Sequence, residues 1–296
     1  MPTRAVLFDL GNTLVSYYRA DEFPTILRRC LAACVAELKH EAHSARDEEL
    51  FRRALGLNHE SRDHAVRPLV ARLATLFPEC ENDTLTLERL STAFLRPIFA
   101  TAILDSEAIS VLQTLRDGGI RLAIVSNTPW GSAAAAWRAE LERHGLLRAV
   151  DATVFCVEAG FRKPHPAPIR RALEALDVNA RNALFVGDDP RWDVLGARAV
   201  GVRPLLLAPT GAGPIRRCSS RASLERCSER RRCFGLGGGR LARPARGMTA
   251  PEGVRPRARP SGNGRFRESP NWRSELRLRL AEAYLKAAGG AERRLR

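Results

Sequence analysis

Short apolar runs that close on polar clusters, each followed by a helical stretch, constrain this chain more than any other feature of it. Residues 6–10 read as a fully buried strand running into Asp9-Leu10-Gly11-Asn12-Thr13. Residues 120–125 form a second such strand, closing on Ser126-Asn127-Thr128, and 152–156, 183–186 and 204–207 give three more. Between them, 106–117, 132–144, 166–176 and 193–200 carry helical periodicity, with glycine stops at Gly118-Gly119, Gly145 and Gly201. Buried-type strands alternating with helices predict an α/β fold, a parallel sheet with helices on both faces.

Residues 21–102 break this rhythm. Ile26, Leu27, Cys30, Leu31, Cys34, Val35 and Leu38 recur at three and four, the period of an amphipathic helix. Breaks near 40–44, 57–61 and 77–84 imply several helices with no strand pattern between them. The organisation predicted is a core made of 1–15 and 103–210, with 16–102 inserted as a helical cap after the first strand.

Charge marks off a third region. The 296 residues carry 48 Lys or Arg and 33 Asp or Glu, a net of +15. Residues 211–296 hold 22 of the basic residues and 7 of the acidic ones, so 1–210 is balanced. Arg, Gly, Pro and Ser dominate this tail, a composition that cannot bury enough surface to fold and predicts disorder. Only 272–288 has helical character. With Phe234, Phe266 and Trp272 interspersed, the tail could bind nucleic acid through phosphate contacts and loose stacking. Arg supplies 21 of its 22 basic residues, which fits better an unstructured extension or a gene end read out of frame. No apolar run reaches the length of a membrane span, and residues 1–10 lack the hydrophobic stretch of a secretion signal. Seven cysteines without a CxxC pair point to a reduced, cytoplasmic protein, with Cys30 and Cys34 packed in a helix rather than holding a metal.

Open α/β sheets bind ligands at the carboxyl ends of their strands. Four polar clusters fall there: Asp9, Ser126-Asn127, Lys163, and Gly187-Asp188 with Asp193. Each alone has an ordinary explanation as a helix cap, a turn or a solvated lysine. On one rim they share the chemistry of phosphoryl transfer. Asp9 can attack phosphorus as a carboxylate nucleophile, but its charge repels a phosphate dianion, so a metal and a cation are needed beside it. Asp188 and Asp193 offer the hard oxygens that Mg²⁺ prefers. Lys163 can neutralise the phosphoryl charge, and Ser126 with nearby backbone N–H groups can hold its oxygens.

These segments resemble a known family. Val6-Leu7-Phe8-Asp9-Leu10-Gly11-Asn12-Thr13-Leu14 is similar to the first motif of the haloacid-dehalogenase-like (HAD) hydrolases, and Ile124-Val125-Ser126-Asn127 to the second. Gly160-Phe161-Arg162-Lys163-Pro164-His165-Pro166 resembles the third, and the segment 186–197, with Gly187-Asp188, Asp193 and Gly196-Ala197, resembles the fourth. The four occur in family order across residues 4–208. The resemblance implies a Rossmann-like core with a type 1 (C1) cap that closes over small phosphorylated substrates. It implies that Asp9 is the nucleophile and, with the backbone carbonyl of Gly11, a Mg²⁺ ligand. Ser126 and Asn127 would bind the phosphoryl group, Lys163 would stabilise its charge and orient Asp9, Asp188 would ligate Mg²⁺, and Asp193 would complete or support that site.

One position departs from the pattern. Phosphatases of this family carry a second Asp, the general acid and base, two residues after the nucleophile; here it is Gly11. General acid–base catalysis is worth about 10²–10⁴-fold. Three readings follow: an enzyme for substrates whose leaving group needs no proton, such as acyl or aryl phosphates, or one drawing an acid from the cap; a dehalogenase or phosphonatase, branches that lack this Asp; or a weak enzyme that binds without turnover. Retention of Asp188 and Asp193 favours phosphoryl chemistry over dehalogenation. A phosphonatase needs a cap lysine, and Lys39, the sole one, reads as solvated. Of the cap's other candidates, Tyr17 and Arg19 could face the closed site, and His40, His43 and His64 could reach a substrate.

Overall fold

The computed structural model describes residues 2–39, 44–58 and 61–207. Five strands form one parallel sheet in the order β5-β4-β1-β6-β7. They are β1 (Ala5–Phe8), β4 (Arg121–Ser126), β5 (Ala152–Phe155), β6 (Ala183–Gly187) and β7 (Arg203–Leu206). β1 is central, pairing Phe8 with Ile124 on one side and with Val186 on the other. Successive side chains alternate between two apolar clusters. Val6, Phe8, Leu122, Ile124, Leu184 and Val186 face one, while Ala5, Leu7, Ala123, Val125 and Phe185 face the other. Burial on both faces is why the strands read as apolar runs with no polar alternation.

Helices α5 (Ala108–Asp117), α6 (Ala134–Arg143), α7 (Cys156–Ala159), α8 (Ala167–Ala175) and α9 (Leu195–Ala199) connect the strands. The stretch predicted as one helix from residue 193 begins instead with a π-helical turn, Pro190–Val194. Asp189 caps it, accepting from the N–H groups of Arg191 at 2.7 Å and Trp192 at 3.2 Å. The wider turn sets the direction in which Asp193 leaves the backbone.

Between β1 and the rest of the sheet stand four helices, α1 (Phe23–Glu37), α2 (Ser44–Leu57), α3 (Leu69–Leu76) and α4 (Thr84–Phe99). α1 lies against α4: Ile26, Leu27, Cys30, Leu31 and Cys34 are buried, as are Leu87, Leu90 and Phe94. Cys30 and Cys34 are free buried thiols, and Cys34 Sγ lies 3.5 Å from the carbonyl of Leu90. α2 is tied to α1 by Arg28, which pairs with Glu48 at 2.7 Å and lies 3.6 Å above the Phe51 ring.

Two features escaped sequence reading. A two-stranded antiparallel pair, β2 (Val15–Ser16) with β3 (Ile103–Leu104), joins the chain where it leaves the first strand to where it returns from the helices. The break expected at 57–61 also extends to residue 68, because its far half pairs with the core. Val66 N donates to the carbonyl of Gly160 at 2.9 Å, and Arg162 N donates to that of His64 at 2.8 Å. The tail call at 211–296 and those on His40 and His43 lie outside the described residues.

Candidate active site

The carboxyl ends of β1, β4 and β6 meet where the central strand is paired on both sides. Asp9 follows β1, and its N–H donates to Val186 O at 2.8 Å, extending the ladder by one residue. Beyond it the chain turns tightly, with the N–H groups of Thr13, Leu14 and Val15 all converging on Leu10 O. Ser126 ends β4, and the loop carrying Lys163 folds back over the same edge.

Lys163 organises the site. Its side chain is 1 % exposed, and its Nζ donates to Asp9 Oδ1 at 2.7 Å, to Asp193 Oδ1 at 2.7 Å and to the carbonyl of Val125 at 2.8 Å. An ammonium has three protons, and all three are used. Burial works against its charge, but Asp193 and Asp9 outweigh that cost and hold its pKa above the usual lysine range. The loop beneath is clamped by Asn127, whose Oδ1 accepts from Lys163 N at 2.8 Å while its Nδ2 donates to Lys163 O at 3.1 Å. Both polar ends of the Asn127 side chain are thus engaged with the backbone of Lys163.

Asp193 is 2 % exposed and engaged at both oxygens, Oδ1 by Lys163 and Oδ2 by the N–H of Asp189 at 3.0 Å. Gly187 makes this packing possible: a Cβ there would overlap the Asp193 carboxylate. Oxygens of Asp9, Asp188 and Asp193 lie within 4.8 Å of one another. Burial raises Asp9 to about 6, Lys163 opposing the rise and Asp193 adding to it. Burial also raises Asp188 to about 7, helped by Asp9, Asp193 and Asp189. Three carboxylates against one ammonium leave negative charge uncompensated, and the donors are all hard oxygens. That is the environment a divalent cation fits.

Gly11 stands at the mouth of this cluster, bridged to Val15. A Cβ at Gly11 would touch only Cδ2 of Tyr17, at 3.9 Å, so a larger side chain has room. Tyr17 lies half-buried beside it, with its ring edge-on to Trp137 and its hydroxyl unpartnered among the described residues. Arg19, the other candidate after the first motif, is exposed and paired with Asp21 at 2.8 Å. His64 reaches the rim, its ring edge-on to Trp192 at 6.3 Å. Lys39 is exposed, as the solvated reading required. Sequence reading missed Arg72 and Trp130 and gave Arg162 no role of its own; Arg162's place directly before Lys163 was the available signal.

A carboxylate, a buried ammonium and an acidic trio at one sheet edge recur in a family of enzymes. The family model described as haloacid dehalogenase-like hydrolase matches residues 3–201. This chain belongs to the haloacid dehalogenase-like hydrolases. A phosphoglycolate phosphatase of Rhodospirillum rubrum is 32 % identical over 212 residues, covering 69 % of this chain and 79 % of that protein. A ribulose-1,5-bisphosphate 5-phosphatase of Halopiger xanaduensis is 30 % identical over 230 residues, covering 75 % of this chain and 92 % of the relative. A HAD phosphatase from Thermococcus onnurineus has a similar structure, with a TM-score of 0.50 at 25 % identity, covering 72 % of this chain and 89 % of that one. This HAD-like hydrolase therefore stands with the family's phosphatases, the phosphoric monoester hydrolases. No helix among its described residues is long and apolar enough to cross a membrane.

Proposed function

We propose that this HAD-like hydrolase is a Mg²⁺-dependent phosphatase of small phosphorylated metabolites, working through an aspartyl phosphate on Asp9. The observation that carries this reading is the placement of Lys163 Nζ at 2.7 Å from both Asp9 and Asp193, with Asp188 alongside. Residues 16–102 act as the cap over this site, and the protein works in the cytoplasm. The relatives named above, which act on phosphoglycolate and ribulose 1,5-bisphosphate, support a small organic phosphate as substrate.

An Asp9 oxygen attacks phosphorus in line with the leaving oxygen. The bond from phosphorus to the substrate oxygen breaks, and a mixed anhydride forms on Asp9. Lys163 keeps Asp9 ionised and aimed, and shields the equatorial oxygens as charge accumulates on them. Ser126, with the backbone N–H groups that follow it, holds those oxygens. Water then attacks phosphorus, the bond to Asp9 breaks, and inorganic phosphate leaves while the carboxylate is restored. Asp9, Asp188 and the Gly11 carbonyl would hold Mg²⁺, with Asp193 orienting Lys163 and the 188–189 loop. Bound there, Mg²⁺ supplies the positive charge that lets a carboxylate approach a phosphate dianion.

Gly11 provides no acid for the leaving group, so substrates with good leaving groups are favoured. Hydrolysis of acetyl phosphate and p-nitrophenyl phosphate is expected with Mg²⁺, lost in EDTA and abolished in Asp9→Asn. A folded protein that hydrolyses neither with Mg²⁺ present would overturn the reading.

A further inference from the structure

A second cavity lies beside the catalytic rim, between the helical insert and the sheet. Its volume is about 220 Å³, and Tyr18, Asn58, Ser61 and Arg72 of the insert line it together with Trp130 and Arg162. It adjoins the phosphoryl end of the site through the chain itself. Trp130 follows Ser126 by one short loop, and Arg162 directly precedes Lys163. Arg162 is fixed from below, its Nη1 donating to the carbonyl of Thr128 at 3.0 Å.

The charge on this cavity is one-sided. None of its lining residues is acidic. Arg72 donates from Nε to the carbonyl of Arg67 at 3.3 Å and from Nη1 to that of Leu57, and its guanidinium lies 5.4 Å over the Trp130 ring. These contacts hold the fork in place without neutralising it. Arg162 Nε is buried and has no hydrogen-bond partner among the described residues. Burial, then the charges of Arg162 and Arg67, hold Arg72 below the usual arginine range. Two neighbouring guanidinium groups, half-buried and without a carboxylate, are unfavourable unless an anion completes them. Planar forks of this kind bind carboxylate or phosphate in two-point fashion.

We propose that this cavity is a second anion subsite, and that the substrate carries a carboxylate or a further phosphate, bound by Arg72 and Arg162, besides the phosphoryl group that reacts at Asp9. The proposal rests on the phosphatase reading and narrows its substrate class. The partition of roles follows from position: Lys163 and Ser126 serve the reacting phosphate, and Arg72 and Arg162 set which molecule presents it. Trp130, buried and donating from Nε1 to Asn58 Oδ1 at 2.7 Å, holds the floor between them.

The test compares kcat and KM for ethyl phosphate, 2-phosphoglycolate and ribulose 1,5-bisphosphate, with p-nitrophenyl phosphate as a general reporter. The wild-type protein is expected to prefer at least one of the two doubly anionic substrates over ethyl phosphate by about tenfold or more. Arg72→Gln should raise KM for that substrate by about 10- to 100-fold, the loss expected for a charge-assisted hydrogen bond, with kcat much less affected. Preference for 2-phosphoglycolate identifies a carboxylate as the second anion; preference for the bisphosphate alone identifies a phosphate. Should Arg72→Gln fail to fold by circular dichroism, Arg72→Lys retains the charge without the fork and should show a smaller shift of the same kind. Turnover of p-nitrophenyl phosphate with no preference for a second anion, or a preference unchanged by both substitutions, overturns the subsite and leaves the phosphatase reading standing. No turnover of any of the four by the folded protein removes that reading and the subsite with it.

Discussion

At the scale of single residues, Lys163 and Gly11 define what this site can do. Lys163 spends its three protons on Asp9, Asp193 and a strand carbonyl, so the Asp9 carboxylate is held in one orientation. Gly11 leaves open the place where a phosphatase of this family carries its acid, and the Tyr17 ring is the nearest neighbour a new side chain would meet. Gly11→Asp is therefore expected to fold and to raise turnover of alkyl phosphates by up to about 10²–10⁴-fold, the usual worth of general acid–base catalysis. Turnover of acetyl phosphate should change far less, and equal effects on both substrates would contradict the role assigned to this position. The acidic trio also makes a prediction about pH. Asp188 rises from an ordinary 3.8 to about 7 and Asp9 to about 6, so between those values the folded protein holds protons that the unfolded chain has released. Their contribution to stability is full below pH 4 and is lost as pH climbs through 6 and 7. In EDTA, Tm should fall between pH 5 and 8, and Mg²⁺ should restore more of it at pH 8 than at pH 5, since the carboxylates must be ionised to bind it. A Tm in EDTA that rises over this range would sink the assignment. Asp9, Ser126, Lys163, Asp188 and Asp193 could be singled out as candidates in the sequence because each lies at, or in the loop or turn after, the carboxyl end of a strand. The clamp made by Asn127 was not, because it depends on which of two loops its amide meets.

At the scale of elements, β6 and the π-helical turn after it decide whether the acidic cluster closes. Asp189 caps the turn, the wide turn aims Asp193 inward, and Gly187 yields the space its carboxylate fills. Gly187→Ala should cost about 1–3 kcal/mol by overpacking, measured by urea unfolding, and should weaken Mg²⁺-dependent turnover because Asp193 must shift. An unchanged Mg²⁺ dependence would mean that Asp193 tolerates displacement. The segment from Ser61 to Arg67 is the counterpart on the insert. Its backbone pairs with the Gly160 and Arg162 ends of the loop that delivers Lys163, so hydrogen bonds tie the insert to that loop. Gly131 (φ +67°) packs so closely on the Arg67 carbonyl that a Cβ there would collide with it. Helical periodicity revealed α1 and α4, but no period marks a loop whose only regularity is a single bridge to another loop.

For the whole molecule, we propose a division into core (1–15 and 103–210), cap (16–102) and a basic extension (211–296). The matched family region ends at residue 201, so removing 211–296 should leave turnover and Tm unchanged. The truncated protein should also lose the net charge of +15 and any salt-sensitive binding to nucleic acid that comes with it. Loss of turnover on truncation would instead assign the extension to the enzyme. The sequence by itself determined the α/β class and the helical insert after the first strand, and it placed Asp9, Ser126, Lys163, Asp188 and Asp193 as candidates at one sheet edge. Those follow from local rules: strands buried on both faces must be apolar along their length, helices repeat at 3.6 residues, and ligands meet open sheets at carboxyl ends. Only the tertiary structure decided that Asn127 clamps the backbone of Lys163, that Arg19 pairs with Asp21, and that Arg72 of the insert meets Arg162 of the core across a cavity. Each of these depends on distant segments coming together, and a chain pattern with no period at that distance carries no record of it.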